Sequence, residues 1–198
     1  MKKLLIATAA AAVLFAPQAF AQAKNFAGFT VGANVISAKS TSTATAIRAG
    51  GLSADDSGTN AAIDLQASYG WAFGQQFVMG VGVTLGTSAN KAGTLGTSEL
   101  TVKDRASLDF MPGFAVSDTV LVFGKLSALT ATAEGTAGLG SKSLSGLGYG
   151  IGLRAMMNKN LFLQGGYDLN TYDKFNAGAA TSVEGKAGIL SAGVGYKF

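Results

Sequence analysis

The chain has 198 residues, of which 48% are hydrophobic and only 13% are charged, and its formal net charge is +4. Lys2 and Lys3 supply two of those positive charges, so the rest of the chain is close to neutral and lacks the basic surplus that binds nucleic acid. Cysteine is absent, which excludes disulfide bonds and metal sites built on thiolates.

The N-terminal segment has the pattern of a secretory signal peptide. Two lysines precede an apolar run over 4–16, and the residues before the cleavage site after Ala21 follow the small-x-small pattern. The alternative is a membrane-anchoring helix, but the apolar run is well short of the roughly 20 residues that such a helix needs. We therefore predict a cleaved signal peptide over 1–21 and a mature chain over 22–198.

After this segment, apolar residues alternate with small or polar residues in eight stretches. Successive side chains of a strand point to opposite faces, so each stretch predicts a strand with one apolar and one polar face. The predicted strands span 25–37, 60–72, 77–87, 100–114, 119–132, 145–157, 161–172 and 183–198. Each can cross a membrane at a tilt, which takes about 9 to 11 residues. No later stretch could cross as a helix, and a spanning structure without helices must be a closed barrel.

The fourth predicted strand carries several charged residues on its polar face. An unbroken alternation places Val102 outward and Lys103, Arg105 and Asp109 inward. The fifth strand presents apolar residues outward if Lys125 faces inward. These orientations predict a barrel with an apolar exterior and a polar interior, which is the reverse of a soluble barrel such as a lipocalin.

The connections between the predicted strands alternate in length. The short ones are 74–76, 115–118 and 158–160. The longer ones, rich in Ser, Thr, Ala and Gly, are 38–59, 88–98, 133–144 and 173–182. Short periplasmic turns and longer extracellular loops are typical of a barrel in the bacterial outer membrane.

The C-terminal strand ends in an aromatic residue. Leu190, Ala192, Val194, Tyr196 and Phe198 share its apolar face. Together with the signal peptide and the eight amphipathic stretches, this ending resembles the small outer-membrane β-barrel proteins of Gram-negative bacteria, a family that includes the barrel domain of outer-membrane protein A and the opacity or 25-kDa outer-membrane proteins. The resemblance implies an all-β, eight-stranded antiparallel up-and-down barrel over 22–198. It also implies that these five residues form the signal recognised by the barrel-assembly machinery.

The resemblance implies the partners as well. We expect contacts with outer-membrane lipid and lipopolysaccharide, with the barrel-assembly machinery during biogenesis, and with hosts or phages through the loops. No cofactor and no metal is expected, since Asp55 and Asp56 alone lack the oxygen ligands that calcium requires. The glycine-rich segment 135–143 resembles a phosphate loop only superficially. We expect no enzymatic activity, because the outer-membrane barrel enzymes resemble one another in using histidine, which this chain lacks.

The charged residues expected inside the barrel balance one another. They are Asp64, Arg105, Asp109, Lys125, Arg154 and Asp168. We predict an ion-pair network with Asp109 facing Lys125 across adjacent strands, because an unpaired charge in a narrow interior is costly. An eight-stranded barrel is only wide enough for side chains to fill, so this network would plug it.

The inward glycines of the third and sixth strands leave two alternatives open. They make room either for long lysine and arginine side chains or for water. The first alternative favours a structural, surface-exposed barrel with a plugged lumen, whose loops contact other molecules. The second favours a narrow porin-like channel for ions or small solutes.

Overall fold

The computed structural model describes residues 23–46, 53–95, 98–135, 140–176 and 181–198. The predicted signal peptide over 1–21 lies outside these residues. A short 3-10 helix (Ala23–Phe26) precedes the first strand. The strands are β1 (Gly28–Ala46), β2 (Ser53–Phe73), β3 (Phe77–Gly86), β4 (Asn90–Leu95), β5 (Ser98–Ala115), β6 (Val120–Gly135), β7 (Gly140–Met156), β8 (Leu161–Asn176) and β9 (Thr181–Lys197). Within the described ranges, no helix is long and apolar enough to cross a membrane.

The strands form a closed antiparallel barrel. Strand β1 pairs with β9 from Thr30, opposite Lys197, to Ala46, opposite Thr181. The ring is completed by the pairing of β3 with β5, and the other neighbours in the ring are consecutive in sequence. The predicted all-β barrel with antiparallel neighbours is therefore confirmed. We call the end with the short turns at 74–76, 116–119 and 157–160 the turn end, and the opposite end the loop end.

Strand β4 shares one position in the ring with β3, so the barrel has eight positions. Both strands pair with β5. The ladder of β3 ends at Leu85, opposite Ala106, and the ladder of β4 begins at Asn90, opposite Val102. The predicted connection 88–98 therefore contains a strand, and the other predicted long connections are also shortened by strands that extend past their apolar stretches. Ladder hydrogen bonds join backbone groups, so pairing continues where the apolar alternation has ended.

The outer face of the barrel is apolar around the ring. Every ring position exposes large apolar side chains, and Leu147 is 73% exposed. Aromatic side chains gather near the turn end, where the ring centroids of Phe29 and Phe198 lie 5.7 Å apart and those of Phe77 and Phe114 lie 5.3 Å apart. Such a girdle of aromatic residues is typical of the level at which a barrel meets the membrane interface.

The predicted orientations of Val102 and Lys103 are wrong because β5 contains an irregularity. Asp104 has a positive φ of 51°, and the pairing of β5 with β6 shifts between Lys103 and Ala106. One extra residue in a strand reverses the faces of all residues beyond it. Val102 therefore packs inside, and Lys103 Nζ lies 2.6 Å from Glu134 Oε1 on the outer face.

Apolar side chains fill the barrel interior at the turn end. The 3-10 helix places Ala23 and Phe26 there, with only 1% and 2% of each residue exposed. They pack against Val78, Ala115 and Leu121. We call these five residues the lower apolar layer.

A second set of apolar side chains lies inside the barrel toward the loop end. Its buried members are Ile36, Ala38, Ala62, Ala131, Ala133, Leu144 and Ile189. We call them the upper apolar layer. The prediction of a consistently polar or glycine inner face is therefore wrong at both ends, where buried apolar side chains of the described residues line the lumen.

Replacing Phe26 by alanine tests the contribution of the 3-10 helix. The variant should lose about 3 to 5 kcal/mol of unfolding free energy, because a fully buried phenyl ring is removed from the lower apolar layer. The measurement is a urea titration of the barrel in lipid vesicles. Lys24→Ala, an exposed site in the same helix, is the control and should change the free energy by less than about 0.5 kcal/mol. Equal losses in both variants would contradict this prediction.

Candidate functional site

The structure brings six of the seven charges predicted to face inward together between the two apolar layers, and Lys103 is the exception. The six lie on strands β2, β5, β6, β7 and β8. Asp64, Asp109, Arg154 and Asp168 are buried, whereas the side chains of Arg105 and Lys125 retain 12% and 18% exposure. We call these residues and their hydrogen-bond partners the polar layer.

The first ion pair of the polar layer crosses a glycine. Arg105 Nη2 lies 2.6 Å from Asp64 Oδ1, although their strands β5 and β2 are separated by β3. Gly86 of β3 stands directly opposite Asp64. A Cβ atom on Gly86 would lie 2.8 Å from Arg105 Nη2, so the missing side chain leaves the space through which the guanidinium reaches the carboxylate.

The second ion pair repeats this arrangement on the other side of the lumen. Lys125 Nζ of β6 lies 2.8 Å from Asp168 Oδ2 of β8. Gly150 of the intervening β7 is paired with both of them in the ladder. A Cβ atom on Gly150 would overlap Asp168 Oδ1. The ammonium group therefore reaches its carboxylate only because residue 150 has no side chain.

Gln164 connects the remaining arginine to the rest of the polar layer. Its Oε1 accepts a hydrogen bond of 3.0 Å from Arg154 Nη2. Its Nε2 donates to Asn34 Oδ1 and to Gln66 Oε1, each at 2.8 Å. The hydrogen bond to Asn34 passes over Gly193, which is paired with both residues in the ladder. One amide thus links strands β1, β2, β7 and β8.

The predicted pairing of Asp109 with Lys125 is wrong. Asp109 is paired in the ladder with Ser127, two residues further along β6. Ser127 Oγ donates to Asp109 Oδ1 at 2.6 Å, and Thr84 Oγ1 donates to Asp109 Oδ2 at 2.6 Å. Counting residues from the turns gave Asp109 and Lys125 equal heights, whereas the pairing register sets the two strands two residues apart. Asp109 is therefore held by hydroxyl groups, and Lys125 pairs with Asp168.

The inward glycines make room for side chains. Gly86, Gly150 and Gly193 lie beneath polar side chains, and the positions above Gly152 and Gly195 are occupied by the rings of Phe123 and Phe162. The cavity that remains in the polar layer has a volume of about 70 Å³. A cavity of this size holds a few water molecules at most. Of the two alternatives for these glycines, the contacts favour long side chains over a water-filled path.

Sequence patterns gave no indication of the neutral members of the polar layer. Thr84, Ser127 and Gln164 are common residue types on a polar strand face, and only the register of neighbouring strands places them beside charges. An inward glycine whose ladder neighbours on the two adjacent strands are both long polar residues indicates a contact across that glycine. This pattern can be recognised only when the register of all three strands is known.

The other predicted site residues have these positions. Leu190, Ala192, Val194, Tyr196 and Phe198 all point outward from β9 and its C-terminal end. Their recognition by the assembly machinery stays a prediction. The side chains of Asp55 and Asp56 lie outside the described part of the chain. Among the residues that are described, no group of three or more His, Cys, Asp or Glu could hold a metal ion.

Gly150→Ala tests whether the inward glycines are required by the ion pairs. The added methyl group would displace the Asp168 carboxylate from Lys125, so we expect a loss of about 3 kcal/mol in unfolding free energy, as when a buried ion pair is broken. Urea titration in vesicles measures this loss. The control is Gly124→Ala, because a Cβ atom there has no neighbour closer than 3.8 Å. If the two variants are equally stable, the glycine has no such role.

Two further variants distinguish the ion-paired carboxylate from the carboxylate held by hydroxyl groups. Asp168→Asn leaves Lys125 without its carboxylate and should cost about 3 to 5 kcal/mol. Asp109→Asn keeps an acceptor for one hydroxyl and adds a donor for the other, so its cost should be about 1 kcal/mol. Heat resistance of the folded band in gel electrophoresis provides the ranking. A larger loss for Asp109→Asn would contradict this assignment of partners.

The chain is similar to several solved outer-membrane proteins. Neisserial surface protein A is 19% identical over 87% of this chain and 98% of its own length, with a TM-score of 0.52. Ail, the attachment invasion locus protein of Yersinia pestis, solved with the heparin analogue sucrose octasulfate, is 19% identical over 84% of this chain and 99% of its own, with a TM-score of 0.48. OprG from Pseudomonas aeruginosa is 13% identical over 87% and 96%, also with a TM-score of 0.48.

At such identities the likeness concerns the fold alone. No curated protein matches the sequence. The family described as the outer membrane protein beta-barrel domain matches residues 7–198, which is nearly the whole chain. The closed ring, the apolar outer face and the polar layer agree with that match. The chain therefore belongs to the outer membrane protein beta-barrel family, and it crosses the outer membrane of Gram-negative bacteria with its strands while its loops are exposed.

Proposed function

We propose that this protein is a closed, structural barrel whose extracellular portions make surface contacts, and that it does not conduct solutes. The observation that carries this proposal is the filling of the lumen along its length. The lower apolar layer, the polar layer and the upper apolar layer follow one another from the turn end to the loop end. The two cavities described within the lumen are small, with volumes of about 70 Å³ and about 20 Å³, which leaves room for a few water molecules rather than for a wide pore.

Strands that stay paired beyond the apolar part of the outer face, toward the loop end, support the surface role. The outward residues of β1 are apolar as far as Val35 and become polar at Ser37 and Lys39, both exposed. The pairing of β1 with β2 nevertheless continues to Thr45, opposite Ser53. A hydrogen-bonded hairpin above the membrane surface offers a rigid support for contacts with lipopolysaccharide, hosts or phages, because its backbone is ordered before any partner binds.

A narrow channel is the second candidate function. The central cavity of about 70 Å³ favours it, because charged side chains line this cavity where a permeating ion would need them. Conduction would also require both apolar layers to open. The lower layer contains two of the most deeply buried side chains that the structure describes near the turn end, Ala23 and Phe26. This requirement makes the closed barrel the better supported function.

Single-channel recording tests the choice directly. Residues 22–198 would be refolded into planar lipid bilayers, with folding verified by the gel shift on heating. We expect no discrete openings from the native sequence, and we expect openings from a variant combining Phe26→Ala, Leu144→Ala and Lys125→Ala, which removes a side chain from each layer. Steady openings of the native sequence would overturn the closed barrel in favour of the channel.

A further inference from the structure

Arg154 differs from the other inner basic residues because no carboxylate pairs with it. Arg105 and Lys125 each have a carboxylate oxygen within 2.8 Å. Among the described residues, Arg154 has no such oxygen within 4.0 Å. Only 7% of Arg154 is exposed. A buried cation without a counter-charge is strongly unfavourable, so this position calls for an anion that the described residues do not provide.

The contacts of Arg154 leave part of its hydrogen-bonding capacity unused. Nη2 donates to Gln164, and Cζ lies 4.2 Å from the centroid of the Phe162 ring. Nε is buried without any hydrogen-bond partner, as is Nε of Arg105, but Arg105 has a carboxylate partner at its Nη2 and Arg154 has none among the described residues. A guanidinium group has five N–H donors, and a buried donor without an acceptor costs about 1 to 3 kcal/mol. The neutral amide and the aromatic face therefore do not satisfy this side chain.

A small cavity adjoins Arg154 between the polar layer and the lower apolar layer. Its volume is about 20 Å³, and Phe26, Val78 and Leu121 of the lower layer line one side of it. Ser68 lines it as well and is itself buried. Ser68 Oγ lies 2.6 Å from Thr30 Oγ1, and when the threonine hydroxyl donates in that contact the serine hydroxyl is free to donate to another acceptor.

The size and lining of this cavity select a class of ligand. The small volume of about 20 Å³ favours a monatomic ion or a water molecule over phosphate or sulfate. Most of the lining is apolar or glycine, which disfavours a strongly hydrated divalent anion. The fixed positive charge of Arg154 favours an anion over neutral water.

We propose that this cavity binds one chloride ion between the Arg154 guanidinium and the Ser68 hydroxyl. The ion neutralises Arg154 and accepts hydrogen bonds from donors that otherwise lack partners. Phe26 of the 3-10 helix is buried and lines the cavity, so the helix contributes one wall of the proposed site. The site is a structural anion site and is independent of whether the barrel conducts.

The test compares refolding and thermal unfolding in vesicles with sodium chloride and with sodium gluconate at equal ionic strength. Gluconate is too large for the cavity. A ligand that binds only the folded state raises stability with its concentration until the site is filled. We expect the native chain to show a saturable rise of its unfolding temperature in chloride and none in gluconate. Identical unfolding temperatures in both salts would overturn the proposal and indicate that water fills the cavity.

Two variants and a control assign the effect to this site. Arg154→Gln should abolish the difference between chloride and gluconate. Gly80→Ala should raise the half-saturating chloride concentration about tenfold or more, because Gly80 lines the cavity and the three atoms nearest to its added Cβ, all of Met111, are no closer than 3.5 Å. This second variant retains Arg154, so it decides the matter if Arg154→Gln does not fold. Arg105→Gln, the control, should be less stable but keep the chloride effect.

A direct measurement completes the test. In crystals grown with bromide, we expect an anomalous scattering peak beside Arg154 and a clearly weaker peak in Gly80→Ala at the same bromide concentration. A chloride effect that persists in both cavity variants, or a bromide peak only at the protein surface, would overturn the site.

Discussion

The pairing of β1 with β9 closes the ring, and the other features of the molecule follow from that closure. In the hydrocarbon part of a membrane, backbone groups have no water to bind, so every N–H and C=O of a spanning sheet needs a partner in the protein. The ladder from Thr30 to Ala46 provides those partners for β1 and β9, the first and last strands of the chain. Closure at eight positions also sets the width of the lumen, which is just enough for side chains to fill.

That width explains why glycine is placed where it is. Side chains that meet across the lumen must pass over the strand between them, and in a ring this narrow a methyl group on that strand is already too large. Gly86, Gly150 and Gly193 are the points at which Arg105, Lys125 and Gln164 reach their partners. Close pairing matters more here than at a surface, since these charged side chains are largely buried.

The layered interior connects the proposed function with the proposed anion site. Two of the three inner basic residues are neutralised by carboxylates two strands away, and Asp109 is held by the hydroxyl groups of Thr84 and Ser127. Arg154 is the inner cation left without a carboxylate among the described residues, and a cavity lies beside it. A chloride ion there would complete the filling of the lumen, which is consistent with a barrel built to be closed.

The sequence by itself determined the features that depend on one strand at a time. Its two-residue alternation predicted the apolar outer face, including the orientation of the residues from Leu190 to Phe198, and it placed the six charged residues of the polar layer inside. It also predicted a ring of eight strands from the number of amphipathic stretches. These features follow from the geometry of a single extended chain, in which neighbouring side chains must point in opposite directions.

Tertiary structure decided everything that depends on the relation between strands. The irregularity at Asp104 reverses Val102 and Lys103, although their local sequence alternates without a break. The register between β5 and β6 places Asp109 beside Ser127. The short distance across a glycine allows Lys125 to pair with Asp168. Alternation fixes the face of a side chain but carries no information about its height relative to the next strand. Partners in the lumen are set by that height and by the width of the closed ring, and neither quantity is encoded in any one segment.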